Sequence, residues 1–377
     1  MFRPVIQKTR VLAGLALFNL IVFYVAINSQ VNEKSRGYEI KIEAAGYMQD
    51  AMIALKDYRL GDSGVFVDSE NDPNETTLIG SQYGPTTTDE GDLDAKLTTL
   101  NPNFAALIID MMIEAGVEYG DAVAVSLTGS MPGANIATFA AGKALNLDLH
   151  IITSVGASQW GANDPYYTWL DMETILNERE VFDFKSEAAS IGGKGDNGKG
   201  VSIFGRELLW ESIYRNNVTL IQEDSLVLSI DRRLDIYSED LPLNNYSALI
   251  NIGGGAASIG PSINSRLIPS AVSFPGDLLE LSGRSIVRDF SRNNIPIIQI
   301  LDIHDLADTY AVLPDDIGND NVIPDLGILD SQGIISFIVW IESEFDIIIP
   351  TDEVNLDNLG TINCIIDYIA KKSNEIK

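Results

Sequence analysis

Apolar and polar positions follow three patterns along this chain. Residues 11 to 27, "VLAGLALFNLIVFYVAI", form an unbroken apolar run without charge or proline. Its length is near the lower end of the ~17–25 residues that cross a bilayer as a helix. Residues 38 to 60 mix apolar and polar positions at helical spacing, and "NPNFAALIIDMMIEAGV" (101 to 117) predicts a helix capped at Asn103 and stopped at Gly116. Between them, residues 61 to 100 are rich in Gly, Asp, Thr and Asn and read as an irregular loop region. Within it "DSENDPNET" (68 to 76) lacks the glycine and closing glutamate of a calcium loop and reads as a solvated turn.

From residue 121 short apolar runs alternate with helical patterns. "DAVAVSLTGS", "LHIITSVGAS", "YSALINIGGGAASIG" and "IPIIQILDI" read as strands, and "SLVLSIDRRLDIY" is strand-like. "PGANIATFAAGKALNL", "YTWLDMETILNERE" and "GRELLWESIYRNN" read as helices, with Pro132 in a first turn, where its missing N–H costs nothing. "IGGKGDNGKG" is a glycine-rich loop. The alternation predicts an α/β fold, a mainly parallel sheet with helices on both faces. Beyond residue 314 an acidic linker precedes two amphipathic stripes, Ile334/Ile338/Ile341/Phe345 and Ile362/Ile365/Ile366/Ile369, which predict a small helical bundle. The resulting plan is a cytoplasmic tail (1–10), a transmembrane anchor (11–27), an α/β domain (28–313) and a C-terminal bundle (314–377).

Charge and rare residues narrow the function. A net charge of −29 argues against a nucleic-acid partner, since phosphates would be repelled over most of the surface. The single cysteine, Cys364, leaves no intrachain disulfide or multi-cysteine zinc site and reads as a small buried hydrophobe. With two histidines, His150 and His304, no histidine-rich metal centre is expected. Arg3, Lys8 and Arg10 ahead of the apolar run place the N-terminus in the cytoplasm and the bulk of the chain outside. A cleaved signal peptide is the rival reading. "NSQVNEK" after the run lacks a small-x-small cleavage site, which favours the anchor.

In parallel sheets ligands bind beyond the carboxyl ends of strands, where loops enter helices. Three loops have that character. "SLTGSMPGANIA" offers Ser126, Thr128, Gly129, Ser130 and Asn135. "TSVGASQWGAND" offers Ser154, Ser158, Gln159, Trp160, Asn163 and Asp164, and "NIGGGAASIG" offers Gly253, Gly254 and Gly255. Amide and hydroxyl donors at helix starts suit a carboxylate or phosphate, so the loops are expected to form one shallow polar cleft. "GGGAAS" is not the dinucleotide fingerprint, "IGGKGDNGKG" is not a P-loop, and "GSMPG" is not a nucleophile elbow. A serine nucleophile would be Ser130 or Ser158, with His150 or His304 to pair with it.

The strings "NPNFAALIIDMMIEAGV", "GDAVAVSLTGSMPGANIA" and "ITSVGASQWGANDPYYTWLDME", with "GKGVSIFGRELLWESI" and "INIGGGAASIG", resemble the poly-γ-glutamate system protein of capsule loci over roughly residues 38 to 313. The resemblance implies a membrane-anchored accessory factor in making or exporting a γ-linked glutamate polymer, with other synthesis and export proteins and the anionic polymer as partners. It supplies no reaction, and an enzyme is not the favoured reading. The alternative from the residues is a membrane-tethered hydrolase or transferase of γ-glutamyl amides.

Residues 320 to 372 resemble an acyl carrier protein, more closely the D-alanyl carrier type, through "LGILDSQGI", "ESEFDIIIP" and "LGTINCIIDYI". The resemblance implies 4′-phosphopantetheine on Ser331, with Asp330 before it as in the family. Gln332 stands where such carriers usually have Leu or Met. The first carrier helix would fall near "DIHDLADTYAVL" (302 to 313), with Ile303, Leu306, Ala307 and Tyr310 on its apolar face. Two readings stay open: a loaded carrier acting in aminoacyl or acyl transfer to an envelope polymer, or a bundle in which Ser331 only caps a helix.

Overall fold

The computed structural model describes residues 36–61, 67–310 and 353–375, with single positions at 338, 341, 345, 347, 349 and 350. The anchor at 11–27, the linker, Asp330 and Ser331 lie outside the described residues. The chain divides into residues 1–38 and 39–377, and the sheet, the helices around it and the C-terminal region all belong to the second.

Three helices precede the sheet: α1 (Tyr38–Gly61), α2 (Leu93–Thr98) and α3 (Asn103–Ala115). In α3 the residues Phe104, Leu107, Ile108, Met111, Met112 and Ala115 are buried, the i, i+3, i+4, i+7 pattern of a helix lying on a core. Gly116 ends it at φ 85°, a left-handed position that suits glycine. Its N-cap is Pro102, and the Asn101 side chain accepts from the Asn103 amide at 2.9 Å. The capping asparagine is therefore Asn101, not Asn103. Helix α2 falls inside the stretch expected to be irregular. The turn at 68–76 is not solvated throughout: Asp72 is buried and accepts from the amides of Thr76 and Thr77.

Strands and helices then alternate: β1 (Ala122–Thr128), α4 (Pro132–Ala144), β2 (Asp148–Ser154), α5 (Trp169–Glu178), β3 (Ala188–Ser190), α6 (Ile203–Arg215), β4 (Thr219–Leu220) and α7 (Leu226–Tyr237). After them come β5 (Ala248–Ile252), α8 (Ala256–Ile259), β6 (Ala271–Ser273), α9 (Ile286–Arg292), β7 (Ile297–Ile300) and α10 (Ile303–Tyr310). The seven strands are ordered β4-β3-β2-β1-β5-β7-β6. All pairings are parallel except β6 against β7. This is the expected α/β architecture.

Both faces of the sheet are covered, as a parallel sheet requires. Val123, Val125 and Leu127 of β1 join one core with Ile250, Ile252, Ile298 and Ile300. Ala124 joins the opposite core with Ile152, Leu249 and Ile297. Helix α4 is buried over nearly its whole length, which its small residues permit. A Cβ on Gly133 would come within 2.5 Å of the Thr99 carbonyl oxygen.

Residues 226–237, expected as a strand, form helix α7. Ser229, Ile230, Arg233, Ile236 and Tyr237 are its buried face, and Ser225 caps it by accepting from the Leu228 amide. The local alternation of "SLVLSI" loses to the longer i, i+3/i+4, i+7 period and the cap. Helix α10 packs Ile303 and Leu306 into the α/β core.

In the C-terminal region α11 (Leu356–Leu359) and α12 (Ile362–Glu375) accompany a small cluster of Ile341, Ile347, Ile349, Ile365 and Tyr368, with Ile338, Leu359 and Ile369 against it. Glu353 accepts from Tyr368 and pairs with Lys372 at 2.8 Å. The two stripes read from the sequence are only partly inward. Ile366 and Phe345 are exposed, because their turns carry more apolar positions than the cluster holds. Cys364 is half-buried, not enclosed.

One buried acid makes the fold pH-sensitive. Glu173 on α5 is 1% exposed and accepts from the Ser186 amide at 2.7 Å and the Ser186 hydroxyl at 2.8 Å. Burial pushes its carboxyl up to about 7, partly opposed by those two bonds. A raised folded-state value means stability is fullest below the ordinary carboxylate range and falls as pH rises through about 7. Urea unfolding of the wild type at pH 5 and pH 8 should show that loss, on the order of a few kcal/mol. Glu173→Gln should flatten the difference; an unchanged pH dependence in that variant would assign the effect elsewhere.

Candidate functional site

Strands β2, β1 and β5 are adjacent and parallel, so their carboxyl ends leave the sheet side by side. The loops beyond them border a cleft of about 900 Å³. Thr128 at the end of β1 and Ser130 beyond it line the cleft, with Ser154 at the end of β2, Gly156 and Ser158 beyond it, and Gly253, Gly254 and Gly255 after β5. Gly253 has φ 88°, and a Cβ there would come within 2.4 Å of Thr128 Oγ1, so the backbone of one loop rests on the side chain of the next. Thr88 to Asp92, Ala95 and Lys96 also line the cleft, as do Arg266, Asp302 and His304.

The glycine-rich loop forms another wall through Gly192, Gly193 and Lys194. It is fixed by a buried ion pair. Arg233 of α7 and Asp196 of the loop are each 1% exposed and 3.0 Å apart. Arg233 also donates to Ser190 (2.7 Å) and Ser154 (3.1 Å), while Asp196 accepts from Ser190 and Ser229. The ends of β2 and β3, the loop and α7 thus share one satisfied polar network.

The β2 loop is clamped by close backbone approaches. A Cβ on Gly91 would come within 2.3 Å of the Gln159 carbonyl oxygen, and one on Gly129 within 2.4 Å of the Val155 carbonyl oxygen. Trp160 sits at φ 63°, held by its amide to Ser81 (3.1 Å) and its carbonyl from the Gly80 amide (3.1 Å). A non-glycine residue in that region carries strain that the surroundings must impose.

Within this frame Lys96 of α2, 3% exposed, donates to Ser158 Oγ at 2.9 Å. The Ser158 amide in turn donates to Ser130 Oγ at 3.1 Å. Lys96 has no carboxylate at ion-pair distance among the described residues. Burial lowers its ammonium to about 8, with Asp92 opposing the shift. At the rim Asp92 and His304 are 3.0 Å apart. That bond holds His304 above its ordinary value. Burial alone would raise Asp92, but the bonds from the Ala95 amide and His304 prevail and lower it.

The sequence-selected residues separate into three groups. Thr128, Ser130, Ser154, Ser158 and Gly253 to Gly255 line the cleft. Gly129 lies behind it, donating its amide to the Ser154 carbonyl. The rest are directed elsewhere. Ser126 lies 2.5 Å from Ser258 inside the core, and Asn135 is fully buried, donating to the Thr128 carbonyl at 2.9 Å. Gln159 receives the Gly91 amide, and Asn163 bonds Ser81 and Thr87. Asp164 pairs with Arg59. Trp160 lies outside the lining, so no aromatic face is offered to a ligand there. Among the described residues neither histidine pairs with a serine: His150 bonds Glu187 at 2.9 Å, and His304 bonds Asp92.

Sequence reasoning missed Lys96, Lys194 and Arg266. The signal for Lys96 was present: "LDAKLTTL" puts a lysine among Leu93, Leu97 and Leu100 on one helical face, where an apolar residue belongs.

Comparison with known proteins adds a separate strand of evidence. No protein-family model matches the chain, and no solved structure matches it. The chain is 32% identical over 78 residues to the D-alanyl carrier protein of Streptococcus thermophilus, covering 21% of this chain and 91% of the relative. Similar matches are the D-alanyl carrier proteins of Streptococcus sanguinis (31% over 86 residues, 23% and 98%) and Streptococcus mutans (33% over 86 residues, 23% and 98%). These relatives bear on the carrier resemblance and not on the poly-γ-glutamate one.

Proposed function

We propose, from a chain that over 78 of its residues belongs to the D-alanyl carrier protein family, that this protein joins an acyl or aminoacyl carrier module to an α/β domain that serves an acidic envelope polymer. The observation that carries the reading is the extent of the match, 91% of the relative's length at 32% identity. By its name that relative carries a D-alanyl group. Here Ser331, preceded by Asp330 in "LGILDSQGI", is the residue that would bear 4′-phosphopantetheine. The thiol of that group would hold an acyl or aminoacyl unit as a thioester. The apolar cluster around Ile341, Ile365 and Tyr368 supports a bundle as the setting.

The test is intact mass. Purified full-length protein, incubated with coenzyme A and a broad-specificity phosphopantetheinyl transferase, should gain the mass of one phosphopantetheine, and the protein isolated from its own host should already carry it. Ser331→Ala should gain nothing. No gain by folded wild type from either source, or a gain retained in Ser331→Ala, would refute the carrier reading.

For the α/β domain the reading is a carboxylate-bearing polymer of the poly-γ-glutamate kind. Lys194 and Arg266 line the cleft without a carboxylate at ion-pair distance among the described residues. An anionic ligand would be met at those two side chains and not across the lining, which also holds Asp89, Glu90, Asp92, Asp302 and Asp305. With a net charge of −29 the attraction is local. A γ-linked glutamate oligomer should bind in the low-salt regime and weaken several-fold in Lys194→Ala/Arg266→Ala and as salt rises. Equal affinity in wild type and double variant would remove this ligand from the cleft.

The anchor at 11–27 and an outward-facing bulk complete the proposal, and among the described residues no helix is long and apolar enough to cross a membrane. Coenzyme A is cytosolic, so loading of Ser331 and an outward C-terminus make opposite demands on the same segment. A topology reporter fused after Lys377 should report the outer side; a cytosolic signal would reverse the orientation and free the carrier reading of that conflict.

A further inference from the structure

The cleft contains a nucleophile and a base that neither the carrier module nor polymer binding uses. We propose that Ser158 and Lys96 form a serine–lysine acyl-transfer site acting on an acyl group held in amide, ester or thioester linkage. The inference rests on the cleft's geometry and is independent of Ser331.

Four observations converge. Ser158 Oγ lies on the cleft lining and is 2.9 Å from Lys96 Nζ, within reach for direct proton transfer. Lys96 is 3% exposed, and that hydroxyl is its hydrogen-bond partner among the described residues. A buried ammonium without a carboxylate is poorly stabilised, so its surroundings favour the neutral amine that can act as base. The serine's own backbone is fixed: its amide donates to Ser130, the next amide, Gln159, donates to the Asp89 carbonyl, and Trp160 beyond it is held at positive φ. The nucleophile therefore has little freedom to turn away from its base.

Several charged groups share the cleft with the pair, most of them acidic. Asp92, the N-cap of α2, lies four residues before Lys96 and is engaged by His304. Asp89, Glu90, Lys194, Arg266, Asp302 and Asp305 also line the cleft.

Bonds and protons balance in both half-reactions. Neutral Lys96 takes the Ser158 hydroxyl proton while Oγ attacks the acyl carbon, making a tetrahedral oxyanion. Collapse breaks the bond to the leaving amine, alcohol or thiol, which departs with the proton from the Lys96 ammonium. Ser158 is left as an ester. An amine acceptor or water then attacks that ester, Lys96 takes the incoming proton, and Ser158 Oγ leaves and recovers it. No metal or redox partner enters. Serine–lysine pairs are a known variant of nucleophile–base catalysis, so the chemistry is sound without a histidine.

A fluorophosphonate probe tests the pair on the full-length protein. Ser158 Oγ should displace fluoride and form a phosphonyl ester, seen as one probe mass less HF on the peptide containing Ser158. Labelling should vanish in Ser158→Ala. It should slow roughly a hundredfold in Lys96→Met, which fills the same buried space without an amine. The wild-type rate should rise with pH through about 8, where Lys96 loses its proton. Lys96→Met must keep the wild-type circular dichroism and urea midpoint for its rate to be compared; should it unfold, the pH profile and Ser158→Ala decide. An adduct that persists in Ser158→Ala, folded wild type that takes no label at pH 9, or a labelling rate indifferent to pH would overturn the assignment.

Discussion

A parallel sheet sends the carboxyl ends of its parallel strands to one edge, and the cleft of the α/β domain depends on that constraint. The chain lays down β1 to β4 in one direction and returns with β5 on the other side of β1. Loops far apart in sequence, after residues 128, 154 and 252, are thereby delivered to neighbouring places along one edge. No loop would form a cleft alone. The small residues at the strand ends let the loops lie on one another, as Gly253 does on Thr128.

Two buried cations in this architecture meet opposite treatment. Arg233 has a carboxylate at 3.0 Å, and its Nη2 donates to Ser154 and Ser190 as well. Removing Asp196 from such a pair would leave an uncompensated charge, a loss of about 3–5 kcal/mol by analogy with other buried pairs. That network fixes the glycine-rich wall against the ends of β2 and β3. Lys96 has one hydroxyl. Its burial therefore lowers the affinity for a proton instead of securing the charge, and the same desolvation that costs stability makes the amine a base near neutral pH. The first cation stabilises the wall; the second gives the cleft reactivity.

How much of this could be read from residues depends on the range of the interaction. Strands β1, β2, β5 and β7 are continuous apolar runs because both their faces are covered, and such runs are legible. Strands β3, β4 and β6, with two or three residues each, are too short to show any period. Helix α7 misled because "SLVLSI" alternates locally while its burial follows the longer helical period. The three loops were visible as small-residue strand ends, but which of their side chains point into the cleft was not. Gln159 and Asp164 are consumed by bonds to partners distant in sequence, and Asn135 turns back to the Thr128 carbonyl that ends β1. Lys96 was legible only as an anomaly in an apolar stripe, and its partner lies 62 residues away.

The carrier region and the cleft are also related by chain length. Helix α10 belongs to the α/β core through Ile303 and Leu306, and its first turn brings His304 to the cleft rim. It therefore occupies the place where a free-standing carrier would have a helix of its own. From Tyr310 at its end to Ser331 is a step of 21 residues (331 − 310). A chain of that length spans at most about 75 Å when fully extended. A group on Ser331 is thus confined to a volume around the end of α10, and its concentration near the cleft is set by the tether and not by diffusion from bulk. Were Ser331 loaded, fusion in one chain would hold the carried group within that tether's reach of the cleft.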